Sequence, residues 1–246
     1  GFGEIIMCDK DGILSRDEEY QNYAHNEIAK RTNPSCLHGL LEDAMKGADV
    51  VIGVSKPRVI SKAMVASMIN GIVFAMANPI PEIDYDLAVK TRKDIIMATG
   101  RSDFPNQVNN VLGFPYIFRG ALDVRATKIN EEMKLAAVHA IAELAKKPVP
   151  QKVSLVYGGE NLTFGRNYII PKPFDPRLIY EVPPAIAKAA IASGVAQKPI
   201  TDWEAYKGEL MDRIGVGSKE IRLLQDRAKR APKRIVFAEA DQLEVL

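Results

Sequence analysis

The 246 residues include only two Cys, three His and one Trp, and aromatic side chains make up 7% of the chain. Cys8 and Cys36 form no C-x-x-C, and His25, His38 and His139 lie far apart in sequence. This scarcity excludes a disulfide scaffold and a zinc site built on paired Cys and His, and it fits a reducing cytoplasm. Charge of one sign is also missing: 33 Lys and Arg stand against 31 Asp and Glu, a formal charge of +2. Without a block of about five like charges, no broad basic face is formed for phosphate backbones or anionic lipid, so nucleic-acid and membrane-surface roles are not expected. No window reaches the roughly 18 uncharged apolar residues that a membrane helix needs. The opening GFGEIIMCDKDG has neither a basic n-region nor a long apolar h-region, so this stretch carries no secretory signal. A soluble, cytoplasmic protein is expected.

What is present is ordinary globular material, 47% hydrophobic. The first residue is Gly1 rather than Met, and an apolar run begins four residues in with no cap or turn before it. At the other end KRIVFAEADQLEVL opens a new strand and stops at Leu246. Both ends are expected to lie inside domains of a longer protein.

Between Glu4 and Gly100 short apolar runs alternate with amphipathic stretches: EIIMCD (4–9), DVVIGV (49–54), GIVFAMANP (71–79) and DIIMATG (94–100). Runs of this kind, bounded by Gly, Asn, Asp or Pro, suit strands buried on both faces. The segments 37–46 and 61–69 carry helical spacing, the second with Ser61 as N-cap. Strand, helix, strand at this pitch predicts an α/β fold with a Rossmann-like, doubly wound parallel sheet, incomplete at its N-terminus. After Gly100 a loop-rich segment, 101–120, precedes a helix over about 129–147 that Pro148 stops. Residues 148–185, rich in Pro and holding the adjacent Gly158 and Gly159, are expected to wrap as an ordered but irregular segment. Helices are predicted at about 183–193, ending at Gly194, and at about 202–213, with a charged connecting helix over 215–234.

Several residues could carry chemistry. Asp9 ends the first expected strand, where a dinucleotide fold places an acid for the ribose hydroxyls, though Asp also begins many plain turns. Lys10 could meet a 2′-phosphate or be a solvated turn residue, and the pair leaves NAD against NADP open. In GVSKPR (53–58) a loop with Gly53 and Ser55 can approach a ligand closely or be an ordinary βα turn. Asn78 stands just past a strand end, and Pro79 pushes it out of the helical region; its amide can serve a carboxylate or carboxamide, or satisfy the turn itself. Asn106, Gln107, Asn109 and Asn110 crowd into five residues beside Arg101, Asp103 and Arg119. Amides so placed among apolar residues must be paired by a ligand or by the fold. No G-x-S-x-G is present, and no His has a partner acid at useful spacing in the sequence.

At ATGRSDFPNQVNNVLGFPYIFRGALDVRAT (98–127), preceded by MANPIPEI (76–83) and followed by YIIPKPFDPRL (168–178), the chain resembles the malic enzyme family. In particular it is similar to the bacterial NADP-dependent hybrid type, in which a phosphate-acetyltransferase-like domain follows the malic enzyme portion. The resemblance implies residues 1–200 as NAD(P)-binding domain and tail, 201–231 as helical connector and 232–246 as the first strand of a second α/β domain. It further implies oxidative decarboxylation of (S)-malate to pyruvate and carbon dioxide, with hydride passing to NADP or NAD and Mg2+ or Mn2+ polarising the oxaloacetate intermediate. Carried over residue by residue, Asn78 and Asn110 match substrate-side amides. Asp9, Lys10, Ser55, Asn78, Asn109 and Asn110 are the cofactor-side candidates. The family's catalytic Tyr and Lys, its metal ligands and its Gly-rich pyrophosphate loop precede the part represented here, so the isolated polypeptide is expected to be inactive, with part of its sheet open to water. A homo-oligomer is expected of the parent. The rival reading of a different class is a regulatory or assembly module that binds NAD(P) without catalysis.

Overall fold

A computed structural model describes residues 3–159 and 161–215. In chain order these form α1 (Tyr23–Ala29), α2 (Leu41–Met45), β1 (Val50–Gly53), α3 (Lys62–Ser67), β2 (Ile72–Ala75), α4 (Tyr85–Thr91) and β3 (Ile96–Thr99). There follow α5 (Phe114–Asp123), α6 (Glu131–Lys146), α7 (Gln151–Val156), α8 (Leu178–Ala192) and α9 (Trp203–Arg213). The chain divides into two compact units. One comprises the described residues up to Pro115 with Val138–Asp175, the other Tyr116–Ala137 with the described residues from Pro176 on.

The first unit is built on the parallel sheet β1-β2-β3, with Val50, Ile72 and Ile96 in register. Linked through α3 and α4, the strands make one βαβαβ half of a doubly wound sheet, as the spacing of the apolar runs predicts. Because side chains alternate along a strand, Val51, Val73 and Met97 share one face. They join Met45, Ile60, Val65, Met68, Ile83, Ala88 and Ile95 in a single core. Ser61 starts α3 as expected, its hydroxyl accepting from the Met64 N–H at 3.2 Å. The opposite face is open at the β1 edge, where Ile52 is 63% exposed and Val54, just beyond the strand, 75%.

The expected strand over 4–9 does not form. Extended chain becomes a strand only beside a ladder partner, and here the carbonyls of Ile5 and Met7 accept from Asn33 and Leu14 instead, at 2.7 and 2.8 Å. Cys8 makes only an isolated antiparallel bridge with Ile13. The helix expected over 37–46 shrinks to α2, since Gly39 at φ +132° and extended Leu40 break the run before it. The segment 101–120, read as loop, contains the first seven residues of α5, with Pro115 in its first turn, where a missing N–H costs nothing. The irregular stretch 148–185 likewise holds α7 and the start of α8.

In the second unit α8 begins five residues before the expected Pro183 and carries both Pro183 and Pro184 inside it. The cost of two interior prolines is offset by the stripe Leu178, Val182, Ile186 and Ala190, buried at i, i+4 spacing. Helix α5 packs against it at Gly120, where an added Cβ would lie 2.6 Å from the Pro183 carbonyl oxygen and 2.8 Å from Ile186 Cβ. Tyr206 of α9 donates to Asp123 at 2.7 Å; burial first, and then this bond, push its hydroxyl far above the usual phenol range. Residues from 216 on, including most of the expected connecting helix and the whole expected strand of 232–246, lie outside the described residues. Among the described residues no helix is long and apolar enough to cross a membrane.

Gly120→Ala adds about 1 kcal/mol of helix propensity but forces a backbone carbonyl aside, an overpacking cost of roughly 1–3 kcal/mol. The expected outcome is a lower melting temperature, with Gly120→Val lower still, read by thermal unfolding of the chain.

Candidate functional site

In an open α/β sheet ligands lie at the carboxyl ends of the strands. In the first unit those ends are Gly53-Val54-Ser55, Met76-Ala77-Asn78 and Gly100-Arg101. Close approach marks them. An added Cβ on Gly53 would lie 2.6 Å from Glu82 Cδ, and one on Gly100 would lie 2.9 Å from the Asn78 side-chain nitrogen. The Asn78–Pro79 peptide is cis.

Glu82 is fully buried. One carboxylate oxygen accepts from the Ser55 N–H at 2.8 Å and the other from the Ala77 N–H at 3.0 Å, so the loops after β1 and β2 hang on one side chain. The Glu82 carbonyl accepts from Ile60 N–H at 3.0 Å and that of Pro81 from Arg58 N–H at 3.1 Å, holding the far end of the same loop. Glu82 was not among the sequence candidates. The available signal is that it is the only charged residue in the apolar stretch IVFAMANPIPEI, 72–83.

The crowded amides separate into two sets. Asn106 is buried in a left-handed conformation that Asn tolerates, φ +54°. Its amide donates to the carbonyls of Met97 and Arg166 at 3.0 and 2.7 Å and accepts from Ile169 N–H at 2.9 Å, which ties the tail segment to β3. Gln107 donates to the Gly100 carbonyl at 3.4 Å, and Asn109 accepts from Val111 N–H at 3.0 Å, capping the short 3-10 turn Asn110–Leu112. The backbone between them runs along the end of β3, Val108 N–H donating to Thr99 at 2.8 Å. Asn110, in contrast, is exposed. Among the described residues the side chains of Asn110, Asn78 and Ser55 have no hydrogen-bond partner.

Arg101 is not available to the amides; it pairs with Asp103 through two contacts of 2.9 and 2.6 Å and lies over the Phe104 ring. That guanidinium holds the Asp103 carboxyl below the usual carboxylate range. Arg119 pairs instead with Asp123 along α5, in the second unit.

Asp9 caps its own turn, one oxygen accepting from the N–H groups of Asp11 and Gly12 at 2.7 and 3.2 Å. Its other oxygen lies 3.4 Å from His25 Nδ1. Lys10 extends into solvent and pairs with Asp11 at 2.6 Å. The expectation that no His has a partner acid is corrected here: His25 meets Asp9, and His38 stands between Asp17 and Glu18, each at 3.1 Å. Separations of 16 to 21 residues bridged by turns hid both pairs from the sequence. The hydrogen bond to Asp17, and then its charge, raise His38 above the ordinary imidazole value.

Among the described residues no cluster of three His, Cys, Asp or Glu could hold a metal ion. A cavity of about 580 Å³ lies at the tail segment, lined by Phe104, Tyr157, Arg166, Tyr168 and Lys172 among others. None of Asp9, Ser55, Asn78, Asn109 and Asn110 lines it.

Residues 2–158 match the family "Malic enzyme, NAD binding domain". The chain belongs to the malic enzyme family. It is 47% identical over 250 residues to the NADP-dependent malic enzyme of Escherichia coli (strain K12), covering 98% of this chain and 32% of that protein. To the NAD-dependent malic enzyme of Rhizobium meliloti (strain 1021) it is 47% identical over 209 residues, 84% of this chain and 27% of that one. The crystal structure of Entamoeba histolytica malic enzyme superposes with a TM-score of 0.71 at 33% identity, over 93% of this chain and 46% of that chain. The chain thus spans about a third of the length of the curated relatives it matches.

Asn106→Ala removes the partner of the buried Met97 carbonyl and of the half-buried Arg166 carbonyl and Ile169 N–H. At about 1 kcal/mol or more each, the expected loss is roughly 2–4 kcal/mol in denaturant unfolding. The His38 titration, followed by NMR, is expected to have its midpoint above 6.5. Since its folded value is raised, the stabilisation from this pairing is present at low pH and lost as pH rises through that midpoint. Asp17→Asn should move the midpoint back down.

Proposed function

We propose that the protein of which this chain is part oxidatively decarboxylates (S)-malate to pyruvate and carbon dioxide, reducing NADP or NAD. The observation that carries the reading is the set of unengaged polar side chains, Ser55, Asn78 and Asn110, in loops at or beside the carboxyl ends of a βαβαβ sheet. The family of the chain and the names of its relatives support it. In this reading the dinucleotide lies across the strand ends. Asp9, fixed by its turn, offers its second oxygen to a ribose hydroxyl; Lys10 and Ser55 flank it, and Asn109 holds the 3-10 turn that presents Asn110. Asn78 and Asn110 supply amide donors and acceptors to malate and to the nicotinamide side. The bound dinucleotide supplies the hydride acceptor.

The divalent metal finds no fitting ligand set among the described residues. Catalytic Tyr and Lys and the metal ligands are assigned to sequence beyond these 246 residues, with 201–231 as connector and 232–246 as the start of a second α/β domain. A cytoplasmic homo-oligomer completes the reading.

The test is malate-dependent reduction of NADP, with NAD in parallel and Mn2+ supplied, by the full-length protein. Turnover is expected there and none from residues 1–246 alone. Inactivity of the intact, folded protein that still binds dinucleotide would place it instead with regulatory or assembly modules. Asn110→Ala is expected to lower kcat/KM for malate about 10- to 100-fold, the cost of leaving a polar substrate group unpaired. Unchanged kinetics would make Asn110 structural.

A further inference from the structure

We propose that Glu82 is a positioning residue for the ligand-facing loops, its buried carboxylate setting the spacing between the turn at Ser55 and the turn at Asn78. The inference rests on the functional reading only in taking those turns to face dinucleotide and substrate.

The geometry is specific. A carboxylate moved from water into a packed interior is costly unless hydrogen bonds replace its solvation. Glu82 is buried without a Lys, Arg or His partner among the described residues. Its two oxygens are matched one to one with main-chain N–H groups, Ser55 at 2.8 Å and Ala77 at 3.0 Å. Each donor lies just past the end of a different parallel strand, where the ladder no longer supplies a partner. One rigid side chain therefore joins two loops that the sheet itself leaves unjoined. Gly53 has no room for a Cβ because the carboxylate occupies that space, 2.6–2.8 Å from where it would be. A residue that merely filled core volume would be apolar here, like the adjacent Ile83. A charged group costs more to bury than it gains by filling space, so what it secures is the position of the two N–H groups.

The consequence falls on side chains with no anchor of their own. Ser55 itself carries one of the bonded N–H groups, and Asn78 is the next residue after bonded Ala77. The Asn78 amide is also packed against Gly100, so a shift of the second loop would change its distance from the end of β3. Gln at position 82 offers one acceptor and sets an NH2 against the second N–H, so one loop must let go.

The experiment uses the full-length protein carrying Glu82→Gln, Gly53→Ala or, as a packing control, Val65→Ala. Val65 is fully buried in α3, and its backbone bonds to Ser61 rather than to the turns at Ser55 or Asn78. The readouts are melting temperature, the Kd for NADP and NAD by calorimetry, and kcat/KM for malate. Glu82→Gln is expected to weaken dinucleotide binding about tenfold and to lower kcat/KM further, as one unpaired loop contact would. Gly53→Ala, which keeps the charge but displaces it, should give the same pattern, so a failure of Glu82→Gln to fold leaves the test intact. Val65→Ala should melt lower with Kd and kcat/KM unchanged. The inference is overturned if both loop variants keep wild-type Kd and kcat/KM, or if all three variants lose them in proportion to melting temperature. Should the wild-type protein bind dinucleotide but not turn over malate, the functional reading fails while the Kd comparison still decides the role of Glu82.

Discussion

A carboxylate that is buried and unpaired by any cation can persist only where N–H groups stand in for water, and in this fold Glu82 meets that condition at the strand ends. The constraint runs outward from it. Gly53 must lack a side chain, the 54–60 loop must return so that Arg58 and Ile60 can bond to Pro81 and Glu82, and Ala77 must present its N–H inward. With Ala77 bonded inward, Asn78 is left facing solvent. The segment that looks in sequence like the tail of a strand is therefore a brace between two βα loops.

Asn106 plays the equivalent part on the other side of the site. Its amide uses two donors and one acceptor on Met97, Arg166 and Ile169, a set that no carboxylate could satisfy because two of the three partners are carbonyls. Glu82 thus holds the loops after β1 and β2, and Asn106 holds the tail segment to β3. A site made of exposed polar side chains on loops is held to useful tolerance only when the loops are pinned from below. Here the pins are buried polar groups rather than apolar packing, since only hydrogen bonds fix loop backbone in direction as well as distance.

Periodicity in the sequence is enough to identify β1, β2 and β3, the Ser61 cap, α6 and α9, because those elements answer to local rules of spacing and capping. It fails where partners decide. EIIMCD has the composition of a buried strand, yet its carbonyls are taken by Leu14 and Asn33, residues whose arrival nothing in the run itself announces. Pro183 and Pro184 argue for a helix start, and the helix continues through them because a four-residue stripe is buried against neighbours the local rule cannot see. The crowd of amides was legible as a place where pairing is compulsory. Which amides the fold consumes was not, since two of the three Asn106 partners lie 60 and 63 positions away while Asn110, four residues on, is left open.

The exposed edge of the sheet follows the same logic of missing partners. A parallel sheet is stable when both faces are covered; here one face meets α2, α3 and α4, while Ile52 and Val54 lie mostly in solvent and Ile5 is half exposed. Scattered apolar exposure needs no explanation, but Ile52 occupies the central rungs of a sheet in register with Phe74, where a doubly wound fold buries its side chains. The βαβαβ unit present is one of the two halves from which such a fold is built, and the chain spans about a third of the length of its curated relatives. A dinucleotide crevice in this architecture forms where strand order reverses, between two such halves. At the carboxyl ends of β1, β2 and β3 the loop backbone is held in place by Glu82 and Asn106, whatever covers the open face of β1.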